Sequence, residues 1–123
     1  MTGRQFEDYI VKLLGEHGYW VHRLSPDETG QQPFDIIALK GNVVYAYDAK
    51  VLSNGKRFPL SRVEDNQITA FDAFEKKVSA MDVGCLIYSG GEIRFLNRAS
   101  IKYAIKNDIS SIDVRQLPVW RIL

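Results

Sequence analysis

One cysteine in 123 residues, Cys85, excludes an internal disulfide. It lies in an apolar run, which predicts a buried thiol in a reducing compartment. No apolar run approaches the roughly 18 residues that a membrane-spanning helix needs, so no membrane partner is expected. The opening Met1-Thr2-Gly3-Arg4-Gln5 leads into no hydrophobic region, which predicts no secretory signal and a cytoplasmic location. The two histidines, His17 and His22, form no metal-ligand spacing with any Cys or His. A Ser-His-Asp arrangement, a phosphate-binding loop and a dinucleotide fingerprint are all missing. So is the interleaving of aromatic and basic positions typical of single-strand binders. Neither sign of charge is in excess: 16 basic and 15 acidic residues leave a net charge of +1. That total neither requires nor excludes a nucleic-acid partner, because local clusters matter more.

What remains is an ordinary globular composition, 46% hydrophobic and 25% charged. With no linker, repeat or low-complexity segment, residues 1–123 read as one domain. Thr2-x-x-Gln5 is a capping-box pattern opening a helix from about Gly3 to His17. Phe6, Ile10, Leu13 and Leu14 recur along it at helical spacing, and Gly18 suits its C-cap. Tyr19–Leu24 alternates as a strand, and Ser25–Pro33 reads as a loop. Phe34–Lys40 and Val43–Lys50 are strands joined by the hairpin signal Gly41-Asn42. Val51–Leu60 reads as a loop. Ser61-x-x-Glu64 predicts a second capping box and a helix to about Ser79, with the stripe Val63, Gln67, Ala70, Phe71, Phe74 and Val78. Gly84–Ser89 and Glu92–Leu96 flank a Gly90-Gly91 turn. A short helix over Arg98–Lys106 follows, then terminal strands at Ile112–Val114 and Val119–Ile122. The order is α-β-β-β-α-β-β-α, an α/β fold with a mixed sheet.

The hairpin holds the most informative feature. A two-residue turn sets Lys40 opposite Val43 and Leu39 opposite Val44, so stepping outward Asp35 faces Asp48. Directly opposed side chains have Cβ atoms about 4.5–5.5 Å apart, and like charges there repel. A divalent cation removes the conflict, since oxygen ligands at such spacing suit Mg²⁺. Lys50, two residues beyond Asp48, projects from the same face. Asp48 also interrupts the strand-forming run Val43-Val44-Tyr45-Ala46-Tyr47, where aspartate is disfavoured. A plain Asp48–Lys50 salt bridge is the structural alternative, but it leaves Asp35 unexplained. Glu7 stands at the edge of the first helix's apolar stripe, either as a surface glutamate or reaching toward the sheet. Gln67 occupies a core-facing position, where a buried amide must find hydrogen bonds. It is either a satisfied core glutamine or a group aimed at the acids. Lys56, Arg57 and Arg62 gather nearby, readable as a solvated loop or as phosphate contacts. Trp20, Trp120, Tyr45 and Tyr47 read as core or interface residues.

Taken together, Glu7, Pro33-Phe34-Asp35, Asp48-Ala49-Lys50 and Gln67 resemble the PD-(D/E)XK nuclease superfamily, whose core is a restriction-endonuclease-like α-β-β-β-α-β unit. Within it the chain is most similar to Holliday junction resolvases. Gly3-x-x-Phe6-Glu7 and Gly18-Tyr19-x-Val21-x-Arg23 resemble the archaeal enzymes, and Phe58-x-Leu60-Ser61 with Asn66-Gln67 the RecU-type ones. The closed Gly41-Asn42 turn leaves no room for the stalk of the latter. The resemblance implies a metal-dependent DNA endonuclease acting on branched or junction DNA, with flap- or nick-directed, restriction-like and non-catalytic DNA-binding relatives as alternatives. It implies Asp35 and Asp48 as metal-binding carboxylates and Glu7 as the first-helix acid that completes or buttresses the site. Lys50 becomes the lysine that positions or activates water, and Gln67 the helix glutamine beside it. Mg²⁺, with Mn²⁺ as substitute, is the implied cofactor. Lys56, Arg57 and Arg62 would hold flanking phosphates, and the start of the Ser61 helix would offer backbone N–H groups to one. Symmetric cutting of two strands implies a homodimer. The apolar tail from Leu117 to Leu123 either supplies that interface or covers the monomer's own sheet.

Overall fold

The structure is a computed structural model that describes residues 1–25, 28, 32–77 and 81–122. Helix α1 (Gly3–Glu16) opens as its capping pattern predicts: the Thr2 hydroxyl accepts the Gln5 N–H at 3.1 Å, and the Gln5 side chain accepts the Thr2 N–H at 2.9 Å. Phe6, Ile10 and Leu14 form its buried stripe. Gly18, at φ 82°, turns the chain into β1 (Trp20–Arg23). Next come β2 (Ile36–Lys40) and β3 (Val43–Val51), joined through Gly41 at φ 61°. Their register pairs Lys40 with Val43 and Ile36 with Tyr47, as the two-residue turn dictates. Strands β5 (Met81–Ser89) and β6 (Glu92–Asn97) form the second hairpin, over Gly90-Gly91.

These strands build one mixed sheet in the order β1-β2-β3-β5-β6, with β3 and β5 parallel and the other pairs antiparallel. The parallel pair needs a crossover, and α2 (Asp65–Lys77) supplies it. Strand β5 carries buried residues on both faces, so its run Val83, Cys85, Leu86, Ile87 does not alternate with polar residues. Helix α1 covers one face, where Phe6, Ile10, Leu14, Ile36, Ala38, Tyr47 and Leu86 cluster. The other face packs Phe34, Ala46, Phe71, Cys85 and Ile87 together with residues of α3 (Arg98–Lys106). The Cys85 thiol is buried as predicted, and burial pushes its pKa up.

The segment expected to be loop from Val51 to Leu60 contains a strand. β4 (Arg57–Pro59) pairs antiparallel with β7 (Ser111–Asp113) as a separate two-stranded sheet. The capping box expected at Ser61 does not form. Leu60–Arg62 is a 3₁₀ turn, and α2 starts at Asp65, with the Gln67 side chain accepting the Glu64 N–H at 3.1 Å. The expected end of that helix at Ser79, and Val78 of its stripe, lie outside the described residues. Val119–Ile122 forms no regular strand; Val119 makes an isolated bridge to Arg94. The tail nevertheless docks on its own sheet. Phe95 donates to the Pro118 carbonyl at 3.0 Å and Trp120 to the Ile93 carbonyl at 2.8 Å. Trp120 and Ile122 pack against the α1-side cluster. Trp20, expected in a core or an interface, is 57% exposed on the edge strand, where it stacks on His22.

Gly84 packs closely against the β6 backbone. A Cβ there would lie 2.3 Å from the Leu96 carbonyl oxygen and 2.8 Å from the Asn97 Cα, both main-chain atoms that cannot yield. Gly84→Ala is expected to cost about 3 kcal/mol by separating β5 from β6. A urea titration followed by circular dichroism measures this; an unchanged midpoint would contradict the packing described.

Candidate active site

Asp35 sits one residue before β2, yet the sheet ladder already holds its backbone. Its N–H donates to the Tyr47 carbonyl at 3.0 Å, and its carbonyl accepts the Leu24 N–H at 3.0 Å. The preceding Phe34 anchors it from the other side, stacking on Phe71 with ring centres 5.4 Å apart and meeting Phe74 edge-on at 5.2 Å. Asp48 follows from the register. Tyr47 points toward α1, so Asp48 points to the α2 face, beside Cys85 of β5. The two acids therefore enter the same buried region: Asp35 is 7% exposed and Asp48 1%.

Each carboxylate is held by named donors. The Ala49 N–H reaches Asp35 Oδ2 at 2.7 Å, and Gln32 Nε2 bonds Asp35 Oδ1. Gln67, 4% exposed on the first turn of α2, donates from Nε2 to Asp48 Oδ1 at 2.7 Å. The same side chain accepts the Glu64 N–H, so this buried amide is bonded at both ends. Lys50 Nζ lies 3.1 Å from Asp48 Oδ2. That contact is close but poorly directed, and Oδ2 makes no hydrogen bond of proper geometry among the described residues.

The electrostatics show a site short of positive charge. Burial, reinforced by the neighbouring Asp35 carboxylate, pushes the Asp48 pKa up to about 8, although Lys50 pulls it down. Burial also raises Glu7, and Asp35 repels it, while Arg23 and Arg4 oppose the rise. Glu7 thus lies within electrostatic reach of Asp35, approaching from α1. It does not complete a cluster: among the described residues no three Asp, Glu, His or Cys side chains stand close enough together to hold a metal ion. Glu7 therefore stands beside the pair as the first-helix acid, its charge felt by Asp35.

Two functional candidates, Gln32 and Arg23, were given no role by the sequence, although Arg23 belongs to the motif shared with the archaeal enzymes. Gln32 grips Asp35 from an irregular segment, and Asn66 Nδ2 donates to the Gln32 carbonyl at 3.3 Å. A polar residue before Pro33 carries no sequence signal for that role. Arg23, at the end of β1, lies 2.5 Å from Asp8 through Nη2, and its buried Nε and Nη2 make no directed hydrogen bond among the described residues. Its position on an alternating strand next to the loop was the available clue.

The predicted phosphate-contact residues fare unequally. Arg62 donates to the Val51 carbonyl at 2.9 Å, lies over the Phe58 ring at 5.4 Å, and its charge reaches Cys85. It borders the site but is partly committed. Arg57 is bound to Ser111 through its hydroxyl at 2.8 Å and its carbonyl at 2.9 Å, on the outer β4–β7 sheet. Lys56 and Ser61 are exposed. Ser61 belongs to the 3₁₀ turn rather than to a helix start, so the helix-end phosphate cradle expected there is absent.

Does this donor set fit a metal? Two buried carboxyls, one oxygen without a directed hydrogen bond and a single lysine make an all-oxygen, charge-deficient pair. Magnesium retains several waters and needs only one or two protein carboxylates, so the residues fit it.

Comparison with known proteins agrees. The family model described as archaeal Holliday junction resolvase (Hjc) matches residues 1–119. The chain is also similar to the solved structure of Archaeoglobus fulgidus Hjc, a Holliday junction resolvase from an archaeal hyperthermophile. The two share 22% identity over 79% of this chain and 78% of that one, with a TM-score of 0.57. At that identity the likeness concerns the fold. No curated protein matches. The fold, the paired acids and the match over almost the whole length agree: this chain belongs to the archaeal Holliday junction resolvase family of PD-(D/E)XK nucleases, which cleave DNA junctions and generally use a divalent metal.

Proposed function

We propose that this protein is a Mg²⁺-dependent endodeoxyribonuclease, one PD-(D/E)XK domain per chain, that cuts junction DNA as a cytoplasmic homodimer, with Mn²⁺ able to replace Mg²⁺. The observation that carries the reading is the convergence of Asp35, Asp48 and Lys50 on one buried patch. Asp35 and Asp48 would hold the ion, which when bound polarises a phosphoryl oxygen and acidifies water. Gln67 and Gln32 fix the two carboxyls in orientation. Lys50 places a positive charge where negative charge grows on the scissile phosphate. Arg23, paired with Asp8 at the end of β1, adds positive charge beside Glu7. Glu7, coupled by charge to Asp35, buttresses the pair from α1. Lys56, Arg57, Ser61 and Arg62 would flank the path of the DNA backbone and contribute affinity without sequence information.

The dimer rests on the need to cut two strands symmetrically. Trp120 and Ile122 of the tail pack against the protein's own sheet.

The test incubates purified protein with a labelled four-way junction and with a linear duplex of the same sequence, in Mg²⁺, in Mn²⁺ and in EDTA. Junction cleavage in either metal, none in EDTA and little on the duplex is expected. Intact junction in both metals, from protein shown to be folded, would refute the reading.

A further inference from the structure

On the α1 face of the sheet, away from the paired acids, a cavity of about 310 Å³ opens between β3, β5, β6 and the tail. Five aromatic residues line it, beside aliphatic ones from α1 and the tail. Tyr19 meets Tyr45 at 71°, and Tyr47 meets Phe95 at 87° and Trp120 at 83°, with ring centres 5.2 to 5.8 Å apart. One acid, Asp82 of β5, stands among them. Its Oδ2 accepts the Tyr47 hydroxyl at 2.8 Å, and Trp120 Nε1 in turn donates to the Tyr47 oxygen at 3.4 Å. Asp82 has no cation partner among the described residues. Lys40 reaches the Tyr19 ring, at 4.8 Å, and the exposed Arg121 borders the cavity.

We propose that this cavity binds a small alkylammonium cation, with Asp82 as the counter-charge and the aromatic rings as its walls. Aromatic faces attract cations, most strongly where water is excluded, and boxes of such rings suit methylated or primary ammonium heads. The contacting ring pairs meet at steep angles, so they form no parallel slot of the kind that a planar guanidinium needs. One Asp82 oxygen is already taken by Tyr47, which works against the bidentate fork that favours arginine. The volume lies at the small end of ligand cavities. Burial raises the Asp82 pKa, so a cation here would relieve a partly desolvated acid. Tyr47 and Asp48 are neighbours in sequence but point to opposite faces, so occupancy is separable from cleavage.

The test follows the two tryptophan indole N–H signals of ¹⁵N-labelled full-length protein while tetramethylammonium or n-butylammonium is added. Trp120 is expected to shift saturably, and the exposed Trp20 to stay still. An amine-bearing lysine peptide forms a second arm: tighter binding than n-butylammonium identifies a protein source, and equal or weaker binding a free amine. Asp82→Asn, which still accepts from Tyr47, is expected to weaken binding at least tenfold and leave junction cleavage unchanged. Tyr45→Leu, which removes one wall and keeps the charge, is expected to weaken it several-fold. The proposal is overturned if Trp120 does not respond, if guanidinium or neutral tert-butanol binds as well as the ammonium probes, or if Asp82→Asn binds like the wild type.

Discussion

Asp48→Asn is expected to lower junction cleavage at least a thousandfold and, in EDTA at pH 8, to make the protein more stable by on the order of 3 kcal/mol. Both effects come from the same burial. Burial and the Asp35 carboxylate push the Asp48 carboxyl of the folded protein up to about 8, far above its ordinary range. Between that ordinary range and the raised value the folded state holds a proton that the unfolded chain releases. The contribution of Asp48 to stability is therefore complete below about pH 4 and lost as pH rises through 8. A neutral asparagine has no such loss, and its carbonyl can still accept the Gln67 amide. The check is urea unfolding of both proteins in EDTA at pH 5 and pH 8, with single-turnover cleavage in Mg²⁺. Comparing the pair isolates Asp48 from other shifted groups such as Glu7 and Asp82. A variant that is less stable at pH 8, or one that cuts at the wild-type rate, would contradict the site. Wild-type protein is also expected to regain stability at pH 8 on adding Mg²⁺, since an ion that binds only the folded state stabilises it.

Lys50→Ala is expected to reduce cleavage at least a hundredfold and to weaken metal binding near pH 8. The ammonium group 3.1 Å from Asp48 lowers that carboxyl's pKa, so its removal lets the acid keep its proton to higher pH. Metal must then compete with a tighter proton. The rising limb of the residual pH–rate profile moves in the alkaline direction. Cleavage across pH 6 to 9, with Mg²⁺ titrated calorimetrically, measures both changes. The same variant separates a working lysine from a plain buried ion pair. In the second case stability falls by several kcal/mol while the cleavage profile keeps its shape.

The central hairpin was legible because Gly41-Asn42 admits one register, and a register of period two decides every side chain's face. Asp35 and Asp48 could therefore be paired without coordinates. Gln67 was legible as an amide on an apolar stripe, although its two bonding partners were not. The β4–β7 sheet could not be read from Arg57-Phe58-Pro59. Three residues ending in proline look like a loop, and their partner lies more than fifty positions away. Ser61-x-x-Glu64 matched a capping signature but lost to Gln67, whose side chain takes the Glu64 N–H and moves the helix start to Asp65. Arg23 and Gln32 depend on tertiary contacts around a loop whose sequence says only that it is irregular. Glu7 was placed near the acids, and the charge of Asp35 does reach it, but its separation from them was not legible. Helical spacing gives a face, not its distance from a strand on another layer.

The tight bend at Gly41-Asn42 lies at the far end of the hairpin from the chemistry. At about 3.3 Å per residue, the stretches from Asp35 to Gly41 and from Asn42 to Asp48 hold the bend roughly 20 Å from the carboxylates. Evolution or an engineer could graft a tag, a fluorophore or a whole arm onto that tip without disturbing the machinery. Lengthening the chain just before Asp35 would have the opposite result, loosening the grip of Phe34 and Gln32.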